Sequence, residues 1–544
     1  MEENISEKKK LSDRVWDAVL KNLVTVMIVA ITVAAFFMAF YTLVIDSDTN
    51  FILYEGKRIA AGGIQYWNTA FVAGKMRTVV QQWLYDLIVY RIYAMAGWHG
   101  LLVFNMAQAI ALGILLFRLC RVTENGRKSS LIASLIALFV FVFSYGGSRP
   151  EMITGILLAA NAILIEKYVS TSKTKYLLMC TPLITLEANL HASMWIMHAV
   201  LMLPYAIPYE KIMKLLRLPE HCGTVRSYDR LPIAAVILAS PVFALANPYG
   251  TDGLMYLFNS AGMNLRERAK VAEMQYPYLI SFMSLPYLVL LFFTGRFIKK
   301  ARIEHVLLFA GGFCVFGMAI RNIIFLSLAA VPLSAFVLTS LHAENLKKPA
   351  FTKKQTVKAS VRIGDLVSGI RYSADEKKAE ETPQKKETLP YAGMFICASV
   401  IAVCIWAIGA VAVQPIRETD TALSPIRAEK YIKAEKKKSR SGAPARVLTG
   451  YSSGAYFERM GEKIFIDARP ELWRKKINGR ADIYDEYISM QSITEKKYRK
   501  IKKKYRFDYI IAANGSVLQA RCQNDPSADR AVRGNGYTLY RIRK

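Results

Sequence analysis

The chain has 544 residues, of which 53% are hydrophobic, and its formal net charge is +30. The apolar residues form runs of about 18 residues, long enough to cross a bilayer as helices, which excludes a soluble protein. Basic residues concentrate between these runs, as the positive-inside bias predicts for cytoplasmic loops, so the charge indicates no nucleic-acid partner. The sequence therefore predicts a polytopic α-helical protein of the cell membrane, surrounded by membrane lipids.

The apolar runs predict about eleven membrane spans. The first, residues 24–45, is too long for a cleavable signal peptide and lacks a small-residue cleavage site, so we expect it to stay as an anchor. The other spans are expected at 101–119, 129–143, 152–168, 175–188, 193–208, 231–247, 279–295, 303–320, 322–342 and 391–413.

Charge predicts the topology of the N-terminal part. Lysines at 8–10 place the N-terminus in the cytoplasm, and the basic loop 118–128 lies there too. An even number of spans must separate the N-terminus from this loop, so residues 79–97 cannot cross the membrane. Their polar side chains interrupt an apolar face, which favours a juxtamembrane helix in the interface plane. A polar span buried in the bundle is the alternative. The first external loop then covers 46–99.

Asp46 and Asp48 follow directly after the first span. Acidic groups just past a helix C-terminus oppose the helix dipole, and ionisable groups near the hydrocarbon edge indicate function. One of these carboxylates could accept the proton of an attacking hydroxyl. The alternative is an ordinary solvated loop.

Two arginines are placed where a lipid phosphate could be held. Arg149 lies beside Glu151 in a short external turn, and a guanidinium there can bind phosphate by two parallel hydrogen bonds. Arg321 lies between two apolar runs, where a charge needs a partner. For Arg149, a turn cation near lipid headgroups is an equally good interpretation.

Further polar residues fall in external turns. Asn189 and His191 could bind substrate hydroxyls or a phosphate, although a structural interhelical histidine is as good an interpretation. The loop 248–278 begins with the turn of Tyr249 and contains Glu273 among aromatic, acidic and basic residues. Such a combination suits sugar binding, although interfacial belts of Tyr and Trp are equally common. No second histidine lies at metal-ligand spacing, and no cofactor motif is present, so neither a metal nor another cofactor is supported.

Beyond residue 342 the sequence alternates between soluble and apolar segments. We expect a basic, disordered cytoplasmic loop at 343–390, the last span at 391–413, a basic linker at 414–440 and an extracytoplasmic α/β domain at 441–544. In that domain, strands are predicted at 446–449, 463–467, 509–512 and 537–542, with a helix near 485–504.

Taken in order, short motifs of this chain resemble a bacterial branch of the GT-C membrane glycosyltransferases, which use polyprenyl-phosphate sugars and are related to the dolichyl-phosphate-mannose protein mannosyltransferases. The motifs are Asp46-Ser-Asp-Thr-Asn50, Gly56-Lys-Arg-Ile-Ala-Ala-Gly62, Gln82-Trp-Leu84, Ser148-Arg-Pro-Glu151, Asn189-Leu-His191, Asn247-Pro-Tyr-Gly250, Glu273-Met-Gln-Tyr-Pro277, Gly450-Tyr-Ser-Ser-Gly-Ala-Tyr-Phe457 and Ile464-Phe-Ile-Asp-Ala-Arg469. The chain departs from the pattern at Gln82, where an acid is common. It also lacks the Trp-Trp-Asp motif of oligosaccharyltransferases, in which a divalent metal sits at the first-loop carboxylate, and the His-Pro-Pro-Leu pattern of the mannosyltransferases.

The resemblance implies a GT-C-like catalytic region at 1–342 that performs an inverting sugar transfer from a polyprenyl-phosphate donor to an external glycan, lipid or protein. Asp48 is then the first choice of general base and Asp46 the second. The donor phosphate is expected at Arg149, Arg321 and Arg58, and the substrates at His191, Asn189, Glu151, Tyr249, Glu273 and Trp83. Relatives that use monophosphate donors require no metal. A non-catalytic scaffold, a lipid or glycan transporter and a ligase that moves a whole glycan are the rival interpretations.

Overall fold

A computed structural model of the chain describes residues 45–209, 224, 226–256, 258, 284–347, 418–440, 442–479 and 482–543. The chain divides into two compact units. One combines Met1–Ala35 with Val337–Val413, and of it only the end of one helix is described. The other combines Phe36–Phe336 with Gln414–Lys544 and contains most of the apolar helices and the C-terminal domain.

The first loop begins with a helix that the sequence did not predict, α1, Ser47–Gly62. Asp46 is its N-cap, and Asp48 lies in its first turn. Carboxylates are favourable at this end of a helix, because the dipole is positive there. The opposing dipole expected for these acids is that of the predicted first span, whose residues 24–44 lie outside the described part of the chain, whereas the dipole of α1 stabilises them. The short hairpin of β1 (Trp67–Asn68) and β2 (Met76–Arg77) follows.

The next helix, α2, runs from Trp83 to Val122 and is broken at Gly97, where φ is 58° and ψ is −150°. Only glycine adopts this conformation without strain. The break separates the segment predicted as a juxtamembrane helix from the apolar run that follows it. The segment predicted at 79–97 is thus helical only from Trp83, and its first residues connect β2 to the helix.

Each predicted span that falls within the described residues contains helix. The helices are α3 (Arg127–Tyr145), α4 (Glu151–Thr171), α5 (Lys175–Leu178), α6 (Cys180–Leu190), α7 (Trp195–Ala206), α8 (Leu231–Ala244), α9 (Thr251–Leu254), α10 (Leu285–Phe297), α11 (Ile303–Met318) and α12 (Ile323–Lys347). Four helices in the described part of the chain are long and apolar enough to cross a membrane: Trp83–Val122, Arg127–Tyr145, Glu151–Thr171 and Ile320–Glu344. The number eleven is not confirmed, since the others are shorter and the predicted spans 24–45 and 391–413 lie almost wholly outside the described residues.

The C-terminal domain contains a five-stranded mixed sheet in the order β4-β3-β5-β7-β6. Its strands are β3 (Arg446–Leu448), β4 (Lys463–Ile464), β5 (Tyr509–Ala513), β6 (Ala528–Arg533) and β7 (Tyr537–Ile542), and β3 is parallel to both β4 and β5. Around the sheet lie α13 (Ile426–Lys438), α14 (Gly454–Arg459), α15 (Lys475–Asn478), α16 (Ile483–Ile488), α17 (Glu495–Tyr505) and α18 (Val517–Gln523).

Two predicted boundaries need correction. The stretch 414–440 is not simply a linker, because α13 buries Ala428 and Ile432 in the core of the C-terminal domain. These two residues are four apart and share one face of the helix. The predicted disordered loop at 343–390 begins too early, since α12 continues to Lys347; the rest of that loop lies outside the described residues.

The first loop is part of the C-terminal sheet. Residues of the β1–β2 connection run parallel to β4: the amide of Ile464 donates to Ala70 O at 2.8 Å, and the amide of Val72 donates to Ile464 O at 2.9 Å. Phe71 is buried in the domain core against Trp473, with ring centroids 4.4 Å apart. The first loop and the C-terminal domain therefore form one packed structure.

Candidate active site

A cavity opens beside α1, with an empty volume of about 850 Å³ that is partly continuous with solvent. Its wall combines one face of α1, the segment from β2 into α2, the start of α4, the turns of His191 and Arg321, and part of the C-terminal domain. Several segments remote in sequence thus converge on one hollow, which is how ligand sites are commonly built.

The first-loop acids and Arg149 form the central contact of this site. Arg149 Nε donates to Asp46 Oδ2 at 2.9 Å, and Arg149 Nη2 lies 3.2 Å from Asp48 Oδ2. The other oxygen of Asp46 accepts from the amide and the hydroxyl of Thr49, both at 2.7 Å. Asp46 is therefore fixed as the helix cap, while Asp48, which lines the cavity, is oriented by the guanidinium.

A second guanidinium lies on the same cavity. Arg321 occupies the 3-10 turn Ile320–Asn322 between α11 and α12, and its Nη2 is 3.7 Å from Glu151 Oε1. Glu151 is the first residue of α4 and lines the cavity with Arg149 and Arg321. Arg321 was predicted to face a cavity, and in the structure it lines one.

His191 also reaches the cavity wall. It lies in the turn after α6, is buried, and its Nδ1 is 2.9 Å from the hydroxyl of Thr154, which donates to Glu187 at 2.6 Å. Burial lowers the pKa of His191 to about 4 against a small opposing effect of Glu187. The imidazole is thus neutral near pH 7, which suits contact with a hydroxyl better than with a phosphate.

The C-terminal domain completes the wall through Arg469. Its guanidinium donates to Glu55 of α1 at 2.8 Å, to Glu458 of α14 at 2.6 Å and to Asp467 at 2.8 Å. Asn68 of β1 donates to both Glu55, at 3.1 Å, and Glu458, at 2.9 Å. Glu55 and Arg469 line the cavity, so this buried polar cluster ties the first loop to the C-terminal domain at the candidate site.

The charges of this cluster do not balance. Among the described residues, its ion pairs join the carboxyl groups of Glu55, Glu458 and Asp467 to two guanidinium groups, those of Arg469 and Arg58. Full ionisation would leave one buried negative charge in excess, which is costly at low dielectric. Burial accordingly raises the pKa of Glu458 to about 8, although Arg469 favours the ionised form.

Not every predicted site residue reaches the cavity wall. Arg58 is paired with Glu55 and donates to the carbonyl of Trp67, while the indole of Trp83 donates to Asn189 Oδ1 at 3.0 Å. Tyr249 packs in a small apolar cluster. These four predicted residues, Arg58, Trp83, Asn189 and Tyr249, support the fold around the site. Glu273 lies outside the described residues.

Glu55 and Arg469 line the cavity but were not predicted as site residues. A helical interpretation of 47–62 would have indicated Glu55, because positions 48, 51, 52 and 55 share one helix face, and all four line the cavity. For Arg469, the contact with Asp467 is local, but Glu458 and Glu55 are more than ten residues away and Glu55 lies in the first loop, so the local sequence did not reveal the cluster.

The described residues contain no group of three or more His, Cys, Asp or Glu side chains suited to a metal ion. The first-loop carboxylates do not fit a divalent cation in this arrangement, because the guanidinium of Arg149 bridges them. A cation between the two acids would have to displace that group.

No protein-family model matches the sequence, and no curated protein sequence matches it. Solved structures do match in fold. The oligosaccharyltransferase AglB from Archaeoglobus fulgidus, in complex with an inhibitory peptide and a dolichol-phosphate, has a TM-score of 0.54 and 9% identity over 90% of this chain and 69% of its own. The arabinofuranosyltransferase AftD from Mycobacteria has a TM-score of 0.50 and 10% identity over 95% of this chain and 41% of its own. ArnT from Cupriavidus metallidurans has a TM-score of 0.49 and 11% identity over 94% and 97%.

These structures are membrane glycosyltransferases of the GT-C superfamily, and the alignments cover the apolar helices together with the C-terminal domain. At such low identity they establish the fold rather than the substrate. The resemblance expected from the sequence motifs is confirmed at this level: the chain has the fold of the GT-C membrane glycosyltransferases.

Proposed function

We propose that this protein is a membrane glycosyltransferase that moves a sugar from a polyprenyl-phosphate donor to an acceptor outside the cytoplasm. The observation that carries the proposal is the cavity in which Asp48 lies beside Arg149 and Arg321. A general base and cations for a leaving phosphate are the two elements that such a transfer needs. The dolichol-phosphate bound to AglB, which shares the fold, supports a lipid-linked donor.

The transfer proceeds with inversion at the sugar's C1. Asp48 accepts the proton of the acceptor hydroxyl, whose oxygen forms the new bond to C1 as the bond from C1 to the phosphate oxygen breaks. The polyprenyl phosphate leaves with that electron pair, and Arg149 and Arg321, which are both partly buried, stabilise its charge. Asp46 keeps Arg149 in place through the contact at 2.9 Å.

The test is release of polyprenyl phosphate by the purified full chain in lipid nanodiscs, supplied with a panel of polyprenyl-phosphate sugars and candidate acceptors. We expect Asp48→Asn to lower turnover by about 100-fold or more with unchanged expression, because general-base catalysis has at least that magnitude. Asp529→Asn, at an exposed ion pair with Arg543, is the matched control and should match the wild type.

Wild-type turnover in Asp48→Asn would remove that residue from the mechanism. Absence of release with every donor, while lipid binding persists, would favour a non-catalytic scaffold. Movement of the intact lipid-linked sugar across the bilayer without release would favour a transporter.

A further inference from the structure

Residues 78–82 and the first turn of α2 form another part of the cavity wall. Its polar side chains differ from the arginines in that they carry no positive charge. Asp86 on α2 is fully buried and lines the cavity. One of its carboxyl oxygens accepts from Gln82 Nε2 at 2.9 Å, and Oδ2 has no hydrogen-bond partner among the described residues. A buried polar atom without a partner carries a desolvation cost and calls for an explanation.

A second acceptor lies close by in sequence. Gln81 lines the same cavity, and its Oε1 is also buried without a partner among the described residues. The backbone here is held in place, because the carbonyl of Gln81 accepts from the amide of Ala192 at 2.7 Å, next to His191. Both residues thus line one cavity, and each has a buried side-chain oxygen without a partner among the described residues.

The two sides of the cavity differ in what they can bind. Arg149 and Arg321 present donors and positive charge, which suit a phosphate. Asp86 and Gln81 bring a carboxyl group and an amide, which can accept hydrogen bonds from sugar hydroxyl groups and add no positive charge for a phosphate. A lipid-linked sugar phosphate has both kinds of group, a phosphate at one end and hydroxyl or ammonium hydrogens at the other.

We infer that Asp86, with Gln81 beside it, forms the sugar-binding subsite of the cavity and selects donors by hydrogen bonds from the transferred sugar. The inference rests on the proposed function for the lipid-linked nature of the donor. Gln82 acts as a positioning residue, since its amide fixes the other oxygen of Asp86. Asp86 is thus a specificity residue that contacts the sugar, whereas Asp48 contacts the acceptor hydroxyl.

The experiment compares binding rather than turnover, so that it can be judged separately from the proposed reaction. The full chain in lipid nanodiscs is titrated with polyprenyl phosphate, polyprenyl phosphoglucose, polyprenyl phosphomannose and polyprenyl phosphoglucosamine, and affinities are measured by thermophoresis. The glucose and mannose arms offer only hydroxyl groups, and the glucosamine arm adds an ammonium group. We expect the wild type to bind at least one sugar-bearing lipid more tightly than polyprenyl phosphate.

In Asp86→Asn, an amide group replaces the free oxygen with little change in size, and in Asp86→Ala the side chain is lost. We expect both to lower the affinity for the preferred sugar lipid about five- to tenfold, the usual effect of a lost hydrogen bond. Binding of polyprenyl phosphate, which also reports correct folding, should stay within twofold for Asp86→Asn. Asp529→Asn is the control for a carboxylate outside the cavity.

Three results would overturn the inference: no preference of the wild type for any sugar-bearing lipid, an unchanged preference in both variants, or equal loss of sugar lipid and polyprenyl phosphate in Asp86→Asn. Failure of the proposed function is a different result. It would appear as intact, Asp86-dependent sugar preference without release of polyprenyl phosphate from any donor.

Discussion

Asp46 has two roles, helix cap and partner of Arg149, which a pair of substitutions can separate. Asparagine caps helices about as well as aspartate but has no charge for the guanidinium, whereas alanine has neither property. We expect Asp46→Asn to keep the thermal stability of the wild type and Asp46→Ala to lose about 1 kcal/mol, measured by unfolding of the protein in nanodiscs. Both should lower turnover through Arg149.

Both substitutions remove the ion pair, but only Asp46→Ala also removes the cap. Equal destabilisation by the two would therefore contradict the capping role. Wild-type turnover in both would show that Arg149 needs no help from Asp46. The contact itself joins residues 103 positions apart and is the kind of interaction that no local sequence pattern reveals.

Glu458 gives the C-terminal domain a pH dependence. Its pKa in the folded protein is about 8, against an ordinary 4.5. Between these values the folded state keeps a proton that the unfolded chain has lost, so stability falls as the pH rises from about 4.5 to 8. Glu458→Gln imitates the protonated group. Its loss of stability over this pH range should be smaller than that of the wild type by an amount on the order of a few kcal/mol.

The measurement is the apparent melting temperature of both proteins at several values between pH 5 and pH 8.5. A matched control is Glu435→Gln, whose carboxylate pairs with Arg541 near the surface of the domain. A wild-type curve that rises with pH, or identical slopes in Glu458→Gln and the wild type, would show that another group takes up the proton of the cluster.

The packing of α1 on α2 depends on Gly56. A Cβ at this position would meet the carbonyl of Asp86 and lie 2.6 Å from Tyr90 Cβ, so the two helices would have to move apart. We expect Gly56→Ala to lower both the melting temperature and turnover, although no site residue is changed. Gly295→Ala is the control, because its Cβ would meet nothing within 4 Å in α10 and alanine favours helix.

If Gly56→Ala behaves like Gly295→Ala, the close approach of α1 and α2 is not needed for the site. The glycine itself was visible in the sequence as part of a motif. The need for glycine at this position was not visible in the sequence, because Asp86, whose carbonyl lies against it, is thirty positions further along the chain.

Elements with a strong periodic signal were predicted well, and those whose signal depends on context were not. The apolar helices and four strands of the C-terminal sheet were predicted from local patterns. The edge strand β6 was missed because its exposed charged residues, such as Asp529 and Arg530, hide the alternation, a usual feature of sheet edges. Helix α1 was missed because its polar composition after a span resembles a loop.

For the molecule as a whole, the sequence predicted that the external turns would meet the first-loop acids, and the cavity does bring Asp48, Arg149, Glu151, His191 and Arg321 together. It did not predict that the C-terminal domain would be part of the same wall. One contact of that arrangement is made by Phe71, an aromatic residue of the first loop whose partner in the domain core, Trp473, is about 400 residues away.

Phe71 therefore offers a test of whether the C-terminal domain and the first loop act as one structure. It is buried in the domain core and does not line the cavity, so its effect on turnover can only be indirect. We expect Phe71→Ala to cost about 3 kcal/mol or more in stability, as for other buried aromatic residues, and to lower turnover as Glu55 and Arg469 shift. Phe292→Ala, at an exposed position of α10, should change neither. Loss of stability with full turnover would mean that the cavity works without its C-terminal wall, and the domain would then serve another purpose than shaping the site.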